Sequence, residues 1–297
     1  MLKVYFRTFL LGFFFLIGFL TPSVGKCSGL IPYLIGVMLL IAFMRCSAAP
    51  WRTLTRTHLK VLLANIAIGL TGWGLFRLLG YHDLAEVAFY VGITPTAAAA
   101  PVIMGLLDGK VEFVTGALLI NNLAMAVLFP FLLMLVDGQF VPEIFTHAVL
   151  SVGRIMVVPA ILAMVLLHFF PRSRQVAVKC AGMTFFIWVA VLFLAAAKCA
   201  AELQAHPQPA GLMLRYGALS LLICVVNFTL GRWLGRPDYS REASQSLGQK
   251  NTTLTIYLAL TYAGGAVALG PMFYVFWHNL WNALQLHRHQ VRLLRRQ

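Results

Sequence analysis

The stretch Ser246–Leu260 reads SLGQKNTTLTIYLAL, and it sets Gln249, Lys250, Asn251, Thr252 and Thr253 side by side inside an otherwise apolar segment. A lysine at the centre of a membrane helix costs about 2.5–3.5 kcal/mol, so such a residue faces a cavity and has a task there. Lys250 lies near the start of its segment, at 243–264, and a second reading lets its long stem carry the ammonium out to the interface. The rest of the chain decides what that segment is.

Around it the sequence is strongly apolar. Of 297 residues, 60% are hydrophobic and 11% charged, and the mean hydropathy is +0.84. This is the composition of a polytopic membrane protein. The net charge of +14 does not point to nucleic acid, because the basic residues gather in short loops and at the C-terminus, where they orient the chain in a bilayer. Cys27, Cys46, Cys180, Cys199 and Cys224 lie in or beside apolar segments with no CxxC spacing. They read as small hydrophobes, and the sequence offers no metal or cofactor motif.

A spanning helix needs about 20 apolar residues. Ten segments meet that length: 5–22, 28–47, 58–80, 84–107, 111–136, 145–170, 176–200, 210–233, 243–264 and 268–287. The connections carry Pro, Gly or charge, as at Ala49-Pro50, Asp108-Gly109, Asp137-Gly138, Pro207-Gln208-Pro209 and Arg236-Pro237. Lys3 and Arg7 before the run Phe9–Leu20 also fit a signal peptide. Thr21-Pro22-Ser23 is no A-x-A cleavage site, and the first segment is read as a retained helix.

Loop charge alternates. Lys3, Arg45, Arg52, Arg56 and Lys60, then Arg172, Arg174 and Lys179, then Arg232, Arg236 and Arg241, then Arg288, Arg292, Arg295 and Arg296 fall on one side. Lys26, Arg77, Asp83, Glu86, Asp137, Glu143, Lys198 and Glu202 fall mainly on the other. The positive-inside rule then places both termini in the cytoplasm, which requires an even number of spans. The expected location is a bacterial inner membrane, and the basic end His287–Arg296 is expected to lie on its anionic surface.

Ten spans divide as five plus five near Asp137–Glu143, giving a first repeat 1–137, a second repeat 143–287 and a basic tail 288–297. Five helices per half invert the halves, as in many secondary transporters whose sites lie at interrupted helices in matching positions. Segment four holds Thr94-Pro95-Thr96, four alanines and Pro101, and prolines break the backbone ladder. Segment nine, its counterpart, holds Gly248, the polar run and Gly264-Gly265. The expected fold is an all-α membrane protein in which discontinuous helices four and nine cross.

These residues resemble the bile acid:sodium symporter family. Its fourth helix carries Pro-Gly-Gly-x-x-Ser-Asn, where this chain has Pro95-Thr96-Ala97-Ala98-Ala99-Ala100-Pro101, followed by Gly109-Lys110 and Thr115–Asn122. Its ninth helix carries Glu-x-Gly-x-Gln-Asn-x-x-Leu; here Gly248, Asn251 and Leu254 fit. The resemblance covers nearly the whole chain in hydropathy and length, and the motif matches are partial. It implies a core and a panel domain, with an organic anion or related solute moved by alternating access beside the crossing. At the family's sodium-ligand positions this chain has Ala100, Pro101, Val114, Leu118, Ser246 and Lys250. Sodium takes oxygen ligands, and most are missing. Lys250 is therefore expected to stand in for a bound cation, making transport sodium-independent, and as a buried amine it can also cycle a proton.

With the dipole ends of broken helices, Lys250 favours an anionic small-molecule solute. Thr94, Pro95, Thr96, Asn121, Asn122, Gln249, Asn251 and Thr252 are the candidate binding residues. Each polar one has a plainer role. Asn121 and Asn122 can join helices, and Thr94 and Thr96 can satisfy carbonyls freed by Pro95. Trp277, His278, Asn279, Trp281 and Asn282 are read as aromatic-belt and packing residues. A sodium-coupled symporter, an auxin-efflux-type carrier and a membrane receptor or scaffold are the alternatives. An enzyme is not expected, since the sequence has no paired intramembrane carboxylates, Ser/His pair or clustered His ligands.

Overall fold

The computed structural model describes residues 2–45, 54–97, 99–137, 142, 146, 150, 153–205, 207 and 209–294. The expected repeat boundary at 138–143, the Ala49-Pro50 connection and tail residues Arg295 and Arg296 lie outside the described residues, apart from position 142.

Helices α1 (Leu2–Leu20) and α2 (Ile31–Arg45) are joined by a 3-10 stretch, Pro22–Leu30. Helix α3 (Arg56–Leu78) turns at Gly80, whose φ of +79° suits glycine, into α4 (His82–Ile93). After an interruption, α5 (Ala100–Leu106) and α6 (Val111–Asp137) follow. A π-turn at Gly153–Val157 leads into α7 (Val158–Phe169), then α8 (Ser173–Lys179), α9 (Ala181–Ala205) and α10 (Ala210–Leu234). The chain closes with α11 (Ser240–Gly248), α12 (Thr252–Tyr262) and α13 (Gly265–Leu294). Among the described residues no strand occurs beyond one isolated bridge.

The molecule is an all-α membrane protein. Five of its helical stretches, Pro22–Arg45, Arg56–Leu78, Val111–Val136, Gly182–Ala205 and Ala210–Leu234, are long and apolar enough to span a bilayer. Large apolar side chains such as Phe9, Leu63, Leu75, Phe131 and Leu222 point outward, while Asn65, Asn121, Asn122, Asn227 and His278 are buried. A surface turned toward lipid favours that arrangement, because the polar groups must find one another inside.

Segments four and nine are interrupted where the sequence places their breakers. Thr94-Pro95 ends α4, and Pro101 sits in the first turn of α5, where its missing N–H costs nothing. Gln249-Lys250-Asn251 separates α11 from α12, and Gly264, with φ +90°, separates α12 from α13. The four half-helices are 12, 7, 9 and 11 residues long, each too short to span alone.

Helix α1 packs along α9, α2 packs against α7 and α9, and α3 runs against α4. The α3–α4 approach depends on Gly69 and Gly92, since a Cβ on Gly92 would fall 2.3 Å from the Gly69 Cα. At its start α3 is tied to α6 by His58. The Thr55 N–H donates to His58 Nδ1 (3.1 Å), so Nε2 carries the proton donated to the Phe113 carbonyl (3.0 Å).

Candidate functional site

The two interruptions meet backbone to backbone. The Ala97 N–H donates to the Gln249 carbonyl (2.8 Å) and the Asn251 N–H to the Pro95 carbonyl (2.7 Å), an antiparallel bridge between Thr96 and Lys250. Breaking both helices frees these groups, and pairing the breaks with each other satisfies them away from water.

Three carbonyls at the end of α4 are taken by side chains. Thr94 Oγ1 donates to the Tyr90 carbonyl (2.7 Å), and Asn65 Nδ2 to that of Ile93 (2.9 Å). Lys250 Nζ donates to the Gly92 carbonyl (2.9 Å) and to Asn65 Oδ1. Lys250 is 1% exposed, so its stem does not carry the charge to the interface. The ammonium caps the negative end of the α4 dipole, and the hydrogen bonds it makes run to two neutral oxygens.

The end of α11 is closed by neutral hydroxyls. Thr96 Oγ1 donates to the Ser246 carbonyl (2.7 Å) and the Tyr274 hydroxyl to that of Gly248 (2.8 Å). Gly248 is required there, since an added Cβ would meet the Phe228 ring at 2.4 Å. Asn227 Nδ2 supports the Tyr274 oxygen (3.0 Å).

Most of the candidate binding residues are engaged in holding the crossing together. Asn121 Nδ2 donates to Thr96 Oγ1 (2.7 Å), and Asn122 Nδ2 to the Thr96 and Leu118 carbonyls (2.9 and 2.8 Å). Gln249 Oε1 accepts from Asn282 Nδ2. Asn251 Oδ1 faces the Leu254 N–H at 3.4 Å as the cap of α12, and Thr252 is buried in its first turn. Thr94 and Pro95 line a small cavity of about 10 Å³, room for about one water, between α4, α6 and α12, walled by Tyr90, Ile93, Met125, Phe129, Leu254 and Leu258. Its polar feature is a hydroxyl pair, Thr255 Oγ1 donating to Thr94 Oγ1 at 2.7 Å. Lys250 is not among its walls, and its ammonium bonds Asn65 of α3 and the Gly92 carbonyl.

Asn65, Thr255, Tyr274 and Asn282 are the members of this centre that the sequence alone did not single out, or read as packing. One signal for the first of them was present. Asn65-Ile-Ala-Ile-Gly69 in α3 recurs as Asn227-Phe-Thr-Leu-Gly231 in α10, so the same spacing marks the helix that precedes each interruption. Among the described residues no three His, Cys, Asp or Glu side chains are grouped as metal ligands.

No family model matches the chain. It is similar to a protein of Bacillus subtilis (strain 168) named as an uncharacterized sodium-dependent transporter, YocS. The two are 23% identical over 284 residues, covering 90% of this chain and 85% of the other.

Proposed function

We propose that this chain is a secondary transporter that moves a small organic solute by alternating access around the crossing of α4/α5 with α11/α12, with Lys250 in place of a bound cation. The observation that carries this is the Lys250 ammonium, fully buried where two interrupted helices meet and seated on the Asn65 and Gly92 oxygens. A scaffold has no need of a desolvated charge at such a point, whereas intramembrane charges accompany transport pathways. The similarity to a protein named as a transporter supports the same reading.

Ten spans in a five-plus-five inverted repeat account for the matched interruptions and for the repeated Asn-x-x-x-Gly spacing. Cytoplasmic termini follow from loop charge by the positive-inside rule, and a division at 138–143 and a bacterial inner membrane belong to the same reading. The walls between α4, α6 and α12 are apolar apart from the Thr94–Thr255 hydroxyl pair, so a solute admitted there as the site opens has an apolar body and a polar end. The positive field of Lys250 behind the α4 terminus favours an anionic end. The oxygens a sodium ion would need are sparse, with Val114 and Leu118 buried at two of the positions concerned. No resident cofactor enters this mechanism.

A binding screen over small carboxylates and sterol acids, read as thermal shift with and without sodium, tests the proposal on wild type and Lys250→Gln. The expected result is a sodium-independent shift for wild type that the variant loses, or regains only with sodium. The alternative suggested by the relative's name is a sodium-coupled symporter. Sodium-stimulated uptake by wild-type proteoliposomes would establish it and remove the cation role of Lys250.

A further inference from the structure

Tyr274, His278 and Asn282 follow at steps of four along α13 and so share one face. Gln245 and Gln249, also four apart, face them from the end of α11, and Asn227 approaches from α10. Gln245 Nε2 donates to Asn282 Oδ1 (3.1 Å), Asn282 Nδ2 to Gln249 Oε1, and Asn227 Nδ2 to the Tyr274 oxygen (3.0 Å). All six residues are buried, His278 completely.

This seam holds more polar atoms than the protein satisfies. Both ring nitrogens of His278, Gln249 Nε2, Gln245 Oε1 and Asn227 Oδ1 have no hydrogen-bond partner in the protein. They mix donors with acceptors. A cation would satisfy only the acceptors and an anion only the donors, while water satisfies both. Buried polar groups of this kind are normally met by internal water.

We propose that the seam between α11 and α13 is a hydrated proton path, with His278 as its relay, running from the surface that carries Asp108 and His289 to the crossing at Lys250. This rests on the reading of Lys250 as a coupling cation and names the ion that it handles. His289 lies about 16 Å along the α13 axis from His278, at the surface, where its Nε2 pairs with Asp108 Oδ2 (3.0 Å). At the other end the Tyr274 hydroxyl bonds the Gly248 carbonyl, next to the Lys250 break. A proton from water on the Asn282 side binds one ring nitrogen of His278. The proton on the other nitrogen leaves to water on the Tyr274 side and reaches the Lys250 amine. No bond other than N–H and O–H changes and nothing is oxidised.

The surrounding elements carry both titratable and charged groups. Tyr274 lies on His278's own helix, with His287, Arg288, His289 and Arg292 toward its end; α10 carries Arg215, Tyr216, Cys224 and Arg232, Lys250 is at the break, and α11 carries Arg241 and Glu242. Helix α9 offers Cys199 and Lys198. Helix α4 offers Tyr90, with Asp83 and Glu86 in its first turns, and α12 offers Tyr257 and Tyr262. Lys3, Tyr5 and Arg7 are confined to the first turns of α1.

The test uses the full chain, 15N-labelled at histidine and lysine, in anionic liposomes and read by solid-state NMR. His278 is assigned by its loss in His278→Phe. The expected result is magnetisation transfer from water to both His278 nitrogens and exchange between the two tautomers of the ring. Hydrogen exchange at the Lys250 amine is expected to slow about tenfold in His278→Phe. A His278 ring with no water contact and one fixed neutral tautomer overturns the proposal, as does Lys250 exchange unchanged in the variant. A melting temperature raised by His278→Phe would show a dry seam with the same consequence. None of these readouts involves solute or sodium. Sodium-stimulated uptake would therefore remove the sodium-independent reading of Lys250 while leaving a wet His278 in place.

Discussion

Lys250 Nζ donates to the carbonyl of Gly92 at 2.9 Å, joining two residues 158 positions apart in the chain. The same ammonium takes Asn65 Oδ1. One side chain thereby ties the break in the ninth segment to the end of α4 and to α3. Few groups are as costly to bury, and here the acceptors are neutral.

That imbalance separates stability from function at this residue. Neutral oxygens offset only part of the several kcal/mol needed to desolvate an ammonium. Lys250→Met is therefore expected to leave the melting temperature unchanged or higher while solute uptake falls to background. A melting temperature lowered together with uptake would mean that the residue is only a structural tie.

Asn65 serves both partners of that tie, donating to Ile93 and accepting from Lys250. Asn65→Ala is expected to destabilise the protein by about 2–3 kcal/mol, since it strips one acceptor from a buried charge and one donor from a buried carbonyl. In a Lys250→Met background only the carbonyl is affected, and the cost falls to about 1 kcal/mol. A double-mutant cycle on chemical or thermal unfolding in detergent reads the difference. Additive losses would mean that the two residues do not interact.

The hydroxyl pair in the cavity between α4, α6 and α12 is expected to set affinity. Thr255→Val preserves shape and removes the donor to Thr94. Losing one net hydrogen bond weakens binding roughly tenfold, seen as a raised KM for uptake with kcat little changed.

Helix α3 meets α4 at Gly69 and Gly92, where an added methyl would fall 2.3 Å from a Cα. Gly92→Ala is expected to cost about 1–3 kcal/mol by overpacking and to shift the carbonyl that Lys250 holds. Fluorescence-detected melting and uptake should both fall. Gly74→Ala, where nothing lies within 4 Å of the new atom, should change neither.

Some helical extents were legible in the sequence because lipid and water act on each segment locally: the segment read as 210–233 is helix Ala210–Leu234, and 58–80 is Arg56–Leu78. Others were not, since 176–200 is helix Ala181–Ala205 and 268–287 is part of Gly265–Leu294. The interruptions were legible too, because proline and glycine act on their own backbone: Thr94-Pro95 ends one helix and Gly248 another. The bonding roles of the polar residues were not. Asn121, Asn122 and Gln249 are candidates by type, and in the structure their amides bond other parts of the crossing. His278 and Asn282 read as packing residues, and they lie in the polar seam beside α11.

By itself, the sequence determined an all-helical chain built for lipid, with two broken segments and a lysine in one of them. Those properties follow from hydropathy and from backbone chemistry that needs no neighbour. Only the tertiary structure decided what the lysine meets. Its seat is made by an asparagine of α3 and a carbonyl of α4, brought within reach because Gly69 and Gly92 let two backbones close to contact. That distance depends on how helices pack, and packing contacts between residues far apart in sequence leave no local pattern to read.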